Sequence, residues 1–562
     1  MKKIINIYIA AAGMLLLGGV HSCTKNFGDI NTNPSVVTNP DVKYLLSYSE
    51  DKMITYQGTE WVWESMEQLL RYTQHVTASP YEITNNVNTR YNNYYLQILP
   101  NLFEIRRQAD LKPDKDRYQK IKAVTYVLQA LHGIKVTDVN GSIPYTEAIE
   151  GRYQTRYNPV YDNQQTLFNT WLSELDNAIK VLSDNSLANQ ADYGNSDIFY
   201  QSNWTNWVKL ANTLKLRIAA RLENVDNAKT KQVFQQVMQD GTGPIDVVAA
   251  QPRYMNPIYT PFGTGGDIDY RSRRYATNSI MMFLKNSSDP RLPIYFDKND
   301  IPVGFKDSLI KYGVTAPAFI DLNDPLINFQ GGPADWTTDP VKATFLSNSL
   351  PVGPNKYFLI SPLNRRFFSP KLNGATGNFE DVPVTCAESC LLVAEFIQKG
   401  YAGGVDTKGN ANAWYIKGIT ASIVTMNEIA GNAGSTTAFT GDGSTLIQAY
   451  LNNNLVKLNG ANDLERIYIQ AYLNYLRSPN EAFVFCRRTG YPKLGSAYYS
   501  REVSNETIPR RFWLLDPGEV NRTNWNNAMT DQGFTPNAQD INTLSTQRVW
   551  YDKPAPDLGK GQ

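Results

Sequence analysis

Histidine is almost missing from this chain: three residues in 562, His21, His75 and His132. A hydrolase built on a Ser-His-Asp or Cys-His pair would have to use one of them, and none sits in a motif such as G-x-S-x-G. Cysteine is scarce as well, at four residues. Cys386 and Cys390 stand one helical turn apart in apolar text and Cys486 is alone, so buried free thiols are expected here, not a disulfide or a metal site. No C-x-x-C pair supports zinc. Asp321-Leu-Asn-Asp324 offers oxygens but lacks the spacing of a calcium loop. Gly263-Thr-Gly-Gly266 and Gly441-Asp-Gly443 lack the strand-turn-helix setting of a phosphate cradle and read as turns. These absences leave no cofactor and no metal to assign. Neither sign of charge is in excess, with 54 Lys+Arg against 53 Asp+Glu, so the basic footprint of a nucleic-acid binder is missing.

Long apolar runs are absent except at the start. Met1-Lys2-Lys3 is followed by an apolar stretch from Ile4 to Val20, shorter than the ~20 residues that span a bilayer. Residues 1–22 therefore read as a removable leader. It ends at Gly19-Val20-His21-Ser22-Cys23, which is similar to a bacterial lipobox, although His21 stands where a small apolar residue is usual. The expectation is a diacylglyceryl thioether on Cys23, since each buried acyl CH₂ contributes ~0.8 kcal/mol to anchoring. No Asp follows Cys23 directly, so outer-membrane delivery is the expected route. Residues 23–43, with Asn33-Pro34 and Asn39-Pro40, read as a polar tether.

Aromatic residues are plentiful, 12% of the chain with 34 Tyr and 10 Trp. Core and interfacial packing would use them; so would a surface that stacks on sugars or peptides. The chain is organised around Arg117 to Glu223. Ile121, Val124, Leu128, Leu131 and Ile134 form one helical stripe, stopped by Asp138-Val-Asn-Gly-Ser-Ile-Pro-Tyr145. Asp162 and Gln165 have the spacing of a capping box for the next helix, with Trp171, Leu175 and Ile179 on its stripe. A third helix turns Trp207, Ala211, Leu214 and Ile218 inward, with Lys209, Lys215 and Arg217 off the stripe. His132 reads as a C-terminal capping or packing residue. Earlier helical text covers about Tyr44 to Leu70 and Tyr91 to Gln108, around an aromatic, Asn-rich loop from Tyr72 to Asn93. From about 244 to 383, Gly, Pro, Asn, Asp and Tyr dominate and apolar runs are short, as in loops with small strands. Helical periodicity returns from about 384 to 562.

The wording of several stretches resembles the SusD/RagB family of nutrient-binding outer-membrane lipoproteins, in its second, SusD-like branch. The stretches are Asp138-Val-Asn-Gly-Ser-Ile-Pro-Tyr-Thr-Glu-Ala148, Tyr161-Asp-Asn-Gln-Gln165, Asn212-Thr-Leu-Lys-Leu-Arg217, Asp289-Pro-Arg-Leu292, Glu388 to Lys399, Arg487-Arg-Thr-Gly-Tyr-Pro492 and Arg548-Val-Trp-Tyr-Asp552. The resemblance implies a mainly α fold, a tetratricopeptide-like helical scaffold over about 44–240 and 384–562 carrying a loop-rich ligand-binding insert over about 244–383. It implies capture of a nutrient oligomer at the cell surface of a Gram-negative bacterium and handover to a SusC-like TonB-dependent transporter, with no enzymatic step. A glycan is the favoured ligand and a peptide the alternative within the family.

Sugar recognition requires flat aromatic platforms with Asn, Asp and Arg giving direction. The candidates in loop text are Trp336, Tyr81, Tyr270 and Arg90, with Trp336 after Gly331-Gly-Pro first among them. The rival from another class is a surface glycosidase using two carboxylates. Glu388 and Glu395 lie two turns apart on one helix face, but ion pairs with arginines such as Arg487 or Arg488 explain them without catalysis.

Overall fold

The computed structural model describes residues 40–54, 60–78, 88–256, 274–335, 350–368 and 378–562. Helices α1 (Val42–Met53) and α2 (Leu99–Leu111) pack on each other. Between them in sequence come the π-wound stretch Glu60–Leu69, strand β1 (Val76–Ala78) and the short turn Thr89–Asn93. The Tyr72–Asn93 stretch, read as loop, thus holds a strand and a helical turn. Four helices then pack in chain order: α3 (Gln119–Asn140), α4 (Gln164–Ser183), α5 (Trp204–Leu222) and α6 (Asn227–Gln239). Their spacing places Val124, Leu128, Trp171, Leu175, Trp207 and Ile218 inside, all fully buried. A Cβ at Gly133 would stand 2.6 Å from the ring of Trp171, so glycine there lets α3 and α4 close on each other.

The ends of these helices have local causes. α3 runs through Asp138 and stops only after Asn140, where Gly141 takes a φ of 74°, its N–H donating to the Thr137 carbonyl. α4 is capped by Asn163, whose side chain accepts from the Thr166 N–H. Asp162, expected as that cap, turns the other way and accepts from the Tyr145 and Thr146 backbone N–H groups at 3.0 and 2.8 Å. It pins the loop ahead of the helix, so the capping-box reading was one residue out. His132 lies inside α3, buried and stacked on Tyr94, and is a packing residue and not a cap.

Among the described residues the insert is held by three separate two-stranded antiparallel pairs. β1 pairs with β3 (Arg274–Ala276), β2 (Tyr254–Asn256) with β6 (Phe379–Asp381), and β4 (Leu350–Val352) with β5 (Asn355–Tyr357). Helices α7 (Asn278–Asn286) and α8 (Phe305–Tyr312) belong to it. α8 and the β4–β5 hairpin enclose a satellite core of Ile301, Phe305, Leu309, Ile320, Val352 and Leu359. The Asp-Pro-Arg-Leu element does more than close α7. Arg291 is fully buried, bonded to Asp289 at 2.9 and 2.7 Å, and donates to Ser422, Tyr450 and Gln470 at 3.0, 3.1 and 2.8 Å. Those partners sit on α10 (Ala411–Asn432), α11 (Ser444–Leu451) and α12 (Asp463–Asn474), so one guanidinium staples the insert to the second helical half.

That half also contains α9 (Cys386–Gln398), packed on α10 and α12, and α13 (Pro479–Thr489). Cys386, Cys390 and Cys486 are buried free thiols, as their apolar setting implies. Burial pushes the Cys486 thiol up to about 12.

Candidate functional site

The strongest charges of the scaffold point inward and neutralise one another. Asp138 accepts from Arg221 at 2.9 Å, Asn480 at 3.0 Å and the Tyr551 hydroxyl at 3.1 Å, and its backbone carbonyl accepts from Arg487 at 2.8 Å. Glu388 is bound by both arms of Arg217 at 2.7 Å, and Glu395 by Arg488 at 2.9 Å. The expected arginine partner of Glu395 is thus present, whereas Glu388 uses Arg217. Lys215 and Arg217, expected off the apolar stripe, are buried because each has a carboxylate to meet, Asp176 and Glu388 respectively. Burial opposes ionisation of Glu481, but the charges of Arg217 and Arg221 outweigh it and hold its carboxyl at about 2. Asp138, Glu388, Glu395 and Glu481 are thus each engaged by a guanidinium. A cavity of about 80 Å³ beside Trp61, His132, Lys135 and Asp381 falls well short of the ~300 Å³ at which ligand pockets begin.

Arg90 belongs to this interior. It lies in the helical turn Thr89–Asn93, not in a loop, is fully buried, and bonds Glu64 at 3.2 Å and Asn480 at 2.6 Å. Tyr81, Tyr270, Trp336 and Cys23 fall outside the described residues.

A second polar assembly forms where the insert meets the scaffold, and it holds the described chain on one side of each of three of those candidates. In the β1·β3 pair, Val76 faces Ala276 and Ala78 faces Arg274. His75 sets the entry to β1. The Tyr472 carbonyl can only accept, so Nε2–H donates to it at 2.7 Å and Nδ1 accepts from the Thr73 hydroxyl at 2.8 Å. Burial, with Arg501 nearby, lowers the imidazole to about 3 despite that carbonyl, so it is neutral at physiological pH. The far edge of β3 receives the chain around Gly332. Gly332 N–H donates to Ala276, and Asn278 N–H donates to Gly332, at 2.8 and 2.7 Å. A Cβ on Gly331 would lie 2.5 Å from the Thr277 carbonyl oxygen, and one on Gly332 2.8 Å from Ile360. The two glycines are what lets this segment lie flat against β3.

A stretch near the C-terminus closes the corner. Glu502 accepts from Ser279 N–H at 3.1 Å with one oxygen and from Ala334 N–H at 2.9 Å with the other. Its own backbone exchanges bonds with the Gln74 side chain at 2.9 and 3.0 Å. Asp335 accepts from the Asn505 N–H at 2.9 Å, and Arg71 pairs with Glu506 at 2.5 Å. Strand β1, the start of β3, residues 331–335 and residues 501–506 are therefore one hydrogen-bonded unit. Of these, the sequence signalled Gly331-Gly-Pro and, within the Tyr72–Asn93 stretch, His75; Glu502 and Asp335 become site-forming through contacts more than a hundred residues apart along the chain.

Among the described residues no helix is long and apolar enough to cross a membrane. A family model described as "Starch-binding associating with outer membrane", SusD-like in its second branch, matches residues 32–514. Among solved structures, a chitin-binding protein is 22% identical and aligns with a TM-score of 0.66, covering 91% of this chain and 100% of its own. A chitin-binding SusD homolog from Flavobacterium johnsoniae is 19% identical, with a TM-score of 0.61 over 92% of this chain and 99% of its own. A SusD homolog from Bacteroides fragilis is 17% identical, with a TM-score of 0.65 over 91% of this chain and 100% of its own. At such identities the likeness speaks for the fold. No curated protein sequence matches the chain.

Proposed function

Because this chain belongs to the SusD-like family of starch-binding, outer-membrane-associated proteins, we propose that it captures a nutrient oligosaccharide at the cell surface and passes it to a SusC-like TonB-dependent transporter. What supports the reading is that described segments adjoining three aromatic candidates in sequence meet at one corner. Tyr81 follows Ala78 by three residues and Tyr270 precedes Arg274 by four in the sequence, and Ala78 and Arg274 are cross-strand partners. Trp336 directly follows Asp335, which is tied to Asn505. Sequence stretches that each carry an aromatic residue thus adjoin one hydrogen-bonded corner, as expected of a sugar platform. Two names among the structural relatives, both chitin-binding, and the family's starch-binding description favour a glycan over a peptide. The carboxylate pair Glu388 and Glu395, each held by an arginine, gives a glycosidase no support.

Titration with starch- and chitin-derived oligosaccharides tests this reading: binding without shortening of the glycan is expected, and turnover would contradict it. Cys23 is the proposed lipid attachment point. Cys23→Ala is expected to lose incorporation of labelled palmitate and to leave the membrane fraction; a variant still labelled and still sedimenting with membranes would refute the anchor.

A further inference from the structure

A surface groove of about 420 Å³ lies on the first helical half, between the start of α3 and the end of α4. It shares no lining residue with the β1·β3 corner, and its volume falls in the ~300–1,000 Å³ range of small-ligand sites. Residue spacing makes it. Gln119, Lys122, Ala123 and Tyr126 recur at i, i+3, i+4 and i+7 and so share one side of α3, while Asn177, Ala178 and Val181 share one side of α4. Ala123 and Ala178 are buried, and side chains this small leave room between their longer neighbours. One wall is a ring held in place. The Arg106 guanidinium of α2 stacks 4.5 Å from the Tyr126 centroid and 4.4 Å from that of Phe103, and it donates to Thr125 at 2.7 Å and to Gln129. Tyr126 is thus positioned before any ligand arrives. Among the described residues its hydroxyl and the Gln119 amide have no hydrogen-bond partner, yet neither is closed to solvent. The side chains of Asn177 and Asp116 are exposed and equally unbonded. Charges cancel along the lining: Asp110 pairs with Lys122, and Lys115 stands beside Asp116 in the chain.

We propose that this groove is a second glycan site, which takes a neutral sugar unit of the same oligosaccharide that the aromatic corner captures. The inference rests on the glycan-capture reading and adds to it a second point of attachment and the ligand's lack of charge. A lining with balanced charges favours neither an anion nor a cation. A neutral pyranose uses everything that is left: its CH face lies on the Tyr126 ring and the alanine floor, and its hydroxyls meet amides that both donate and accept and a carboxylate that accepts. Two sites on one protein strengthen the hold on a long glycan through effective concentration, with no gain for a short one.

The test is calorimetric titration of the full chain with neutral trisaccharides of the starch and chitin series, which should find two sites per chain. Asn177→Arg lays a long side chain across the groove from an exposed position and should reduce the count to one at an unchanged melting temperature. Tyr126→Ala should weaken the same site about fivefold or more, the worth of an aromatic contact, and Trp336→Ala should leave it intact. Should Tyr126→Ala fold poorly, Asn177→Arg decides alone. A single site indifferent to Asn177→Arg overturns the groove and leaves glycan capture standing. Peptide binding that Asn177→Arg abolishes, with sugars bound only elsewhere, overturns the neutral-sugar assignment. No binding of any glycan, short or long, overturns the capture reading and this proposal with it.

Discussion

Gly331 is the residue on which the corner depends most sharply. A methyl group there would press on the Thr277 carbonyl and the Asn278 amide, backbone atoms that cannot swing aside. Gly331→Ala is expected to lower stability by about 2 kcal/mol, as overpacking does, and to weaken ligand binding because residues 331–335 shift; thermal unfolding and titration read the two effects. His75 makes a separate prediction about pH. Its folded-state value near 3 lies below the ~6.5 of an unfolded histidine. The unfolded chain therefore takes up a proton first as pH falls, and the stability His75 supports is complete above pH ~6.5 and lost on the way down toward 3. His75→Gln should be less stable than the native protein at pH 7, with the gap in urea midpoints narrowing at pH 5. A constant gap would mean that His75 is not held neutral. Residues of this kind were only half legible beforehand. Gly331-Gly-Pro announces a tight passage in the sequence, whereas Glu502, Asp335 and Arg501 look like ordinary polar loop text until folding sets them beside Gln74, Asn505 and Tyr72.

At the scale of elements, α3 ends in a charged hub instead of a simple stop. Asp138 is fully buried with Arg221, Asn480 and Tyr551 on its carboxylate. Asp138→Ala leaves those groups short of an acceptor and should destabilise by about 3 kcal/mol, the low end for a broken buried pair, because Arg221 keeps Glu481. Chemical denaturation measures it, and ligand preference should be unchanged in the folded fraction. Deleting Asp138 to Tyr145 should likewise cost folding, since Ile143 bridges Asp162 and Ser142 N–H donates to Gln532 at 2.8 Å. A stable deletion variant with altered ligand choice would refute that division of labour. Helix stripes were legible because a 3.6-residue period records burial directly. The capping of α4 by Asn163 and the burial of Arg217 were not, because each depends on which neighbour a polar group finds, and period alone is silent on that.

Over the whole molecule, two helical halves are cross-linked through buried arginines, and the insert is fixed to them at Arg291 and at the β1·β3 corner. Such a body is suited to presenting loops without deforming, which lowers the ordering cost of binding. The expectation of a loop-rich stretch between about 244 and 383 could be read from composition, because Gly, Pro and Asn displace apolar periodicity there. That β1, far upstream, belongs to the same corner could not, since an antiparallel pair leaves no mark in sequence distance. On the proposed function, aromatic residues adjoining this corner in sequence hold the glycan while the scaffold positions them. Calorimetric titration of oligosaccharides into the native protein and Trp336→Ala, with melting temperatures recorded alongside, tests it most directly. Binding weakened about tenfold or more at an unchanged melting temperature is expected; undiminished affinity in Trp336→Ala would refute the role of Trp336 as a sugar platform.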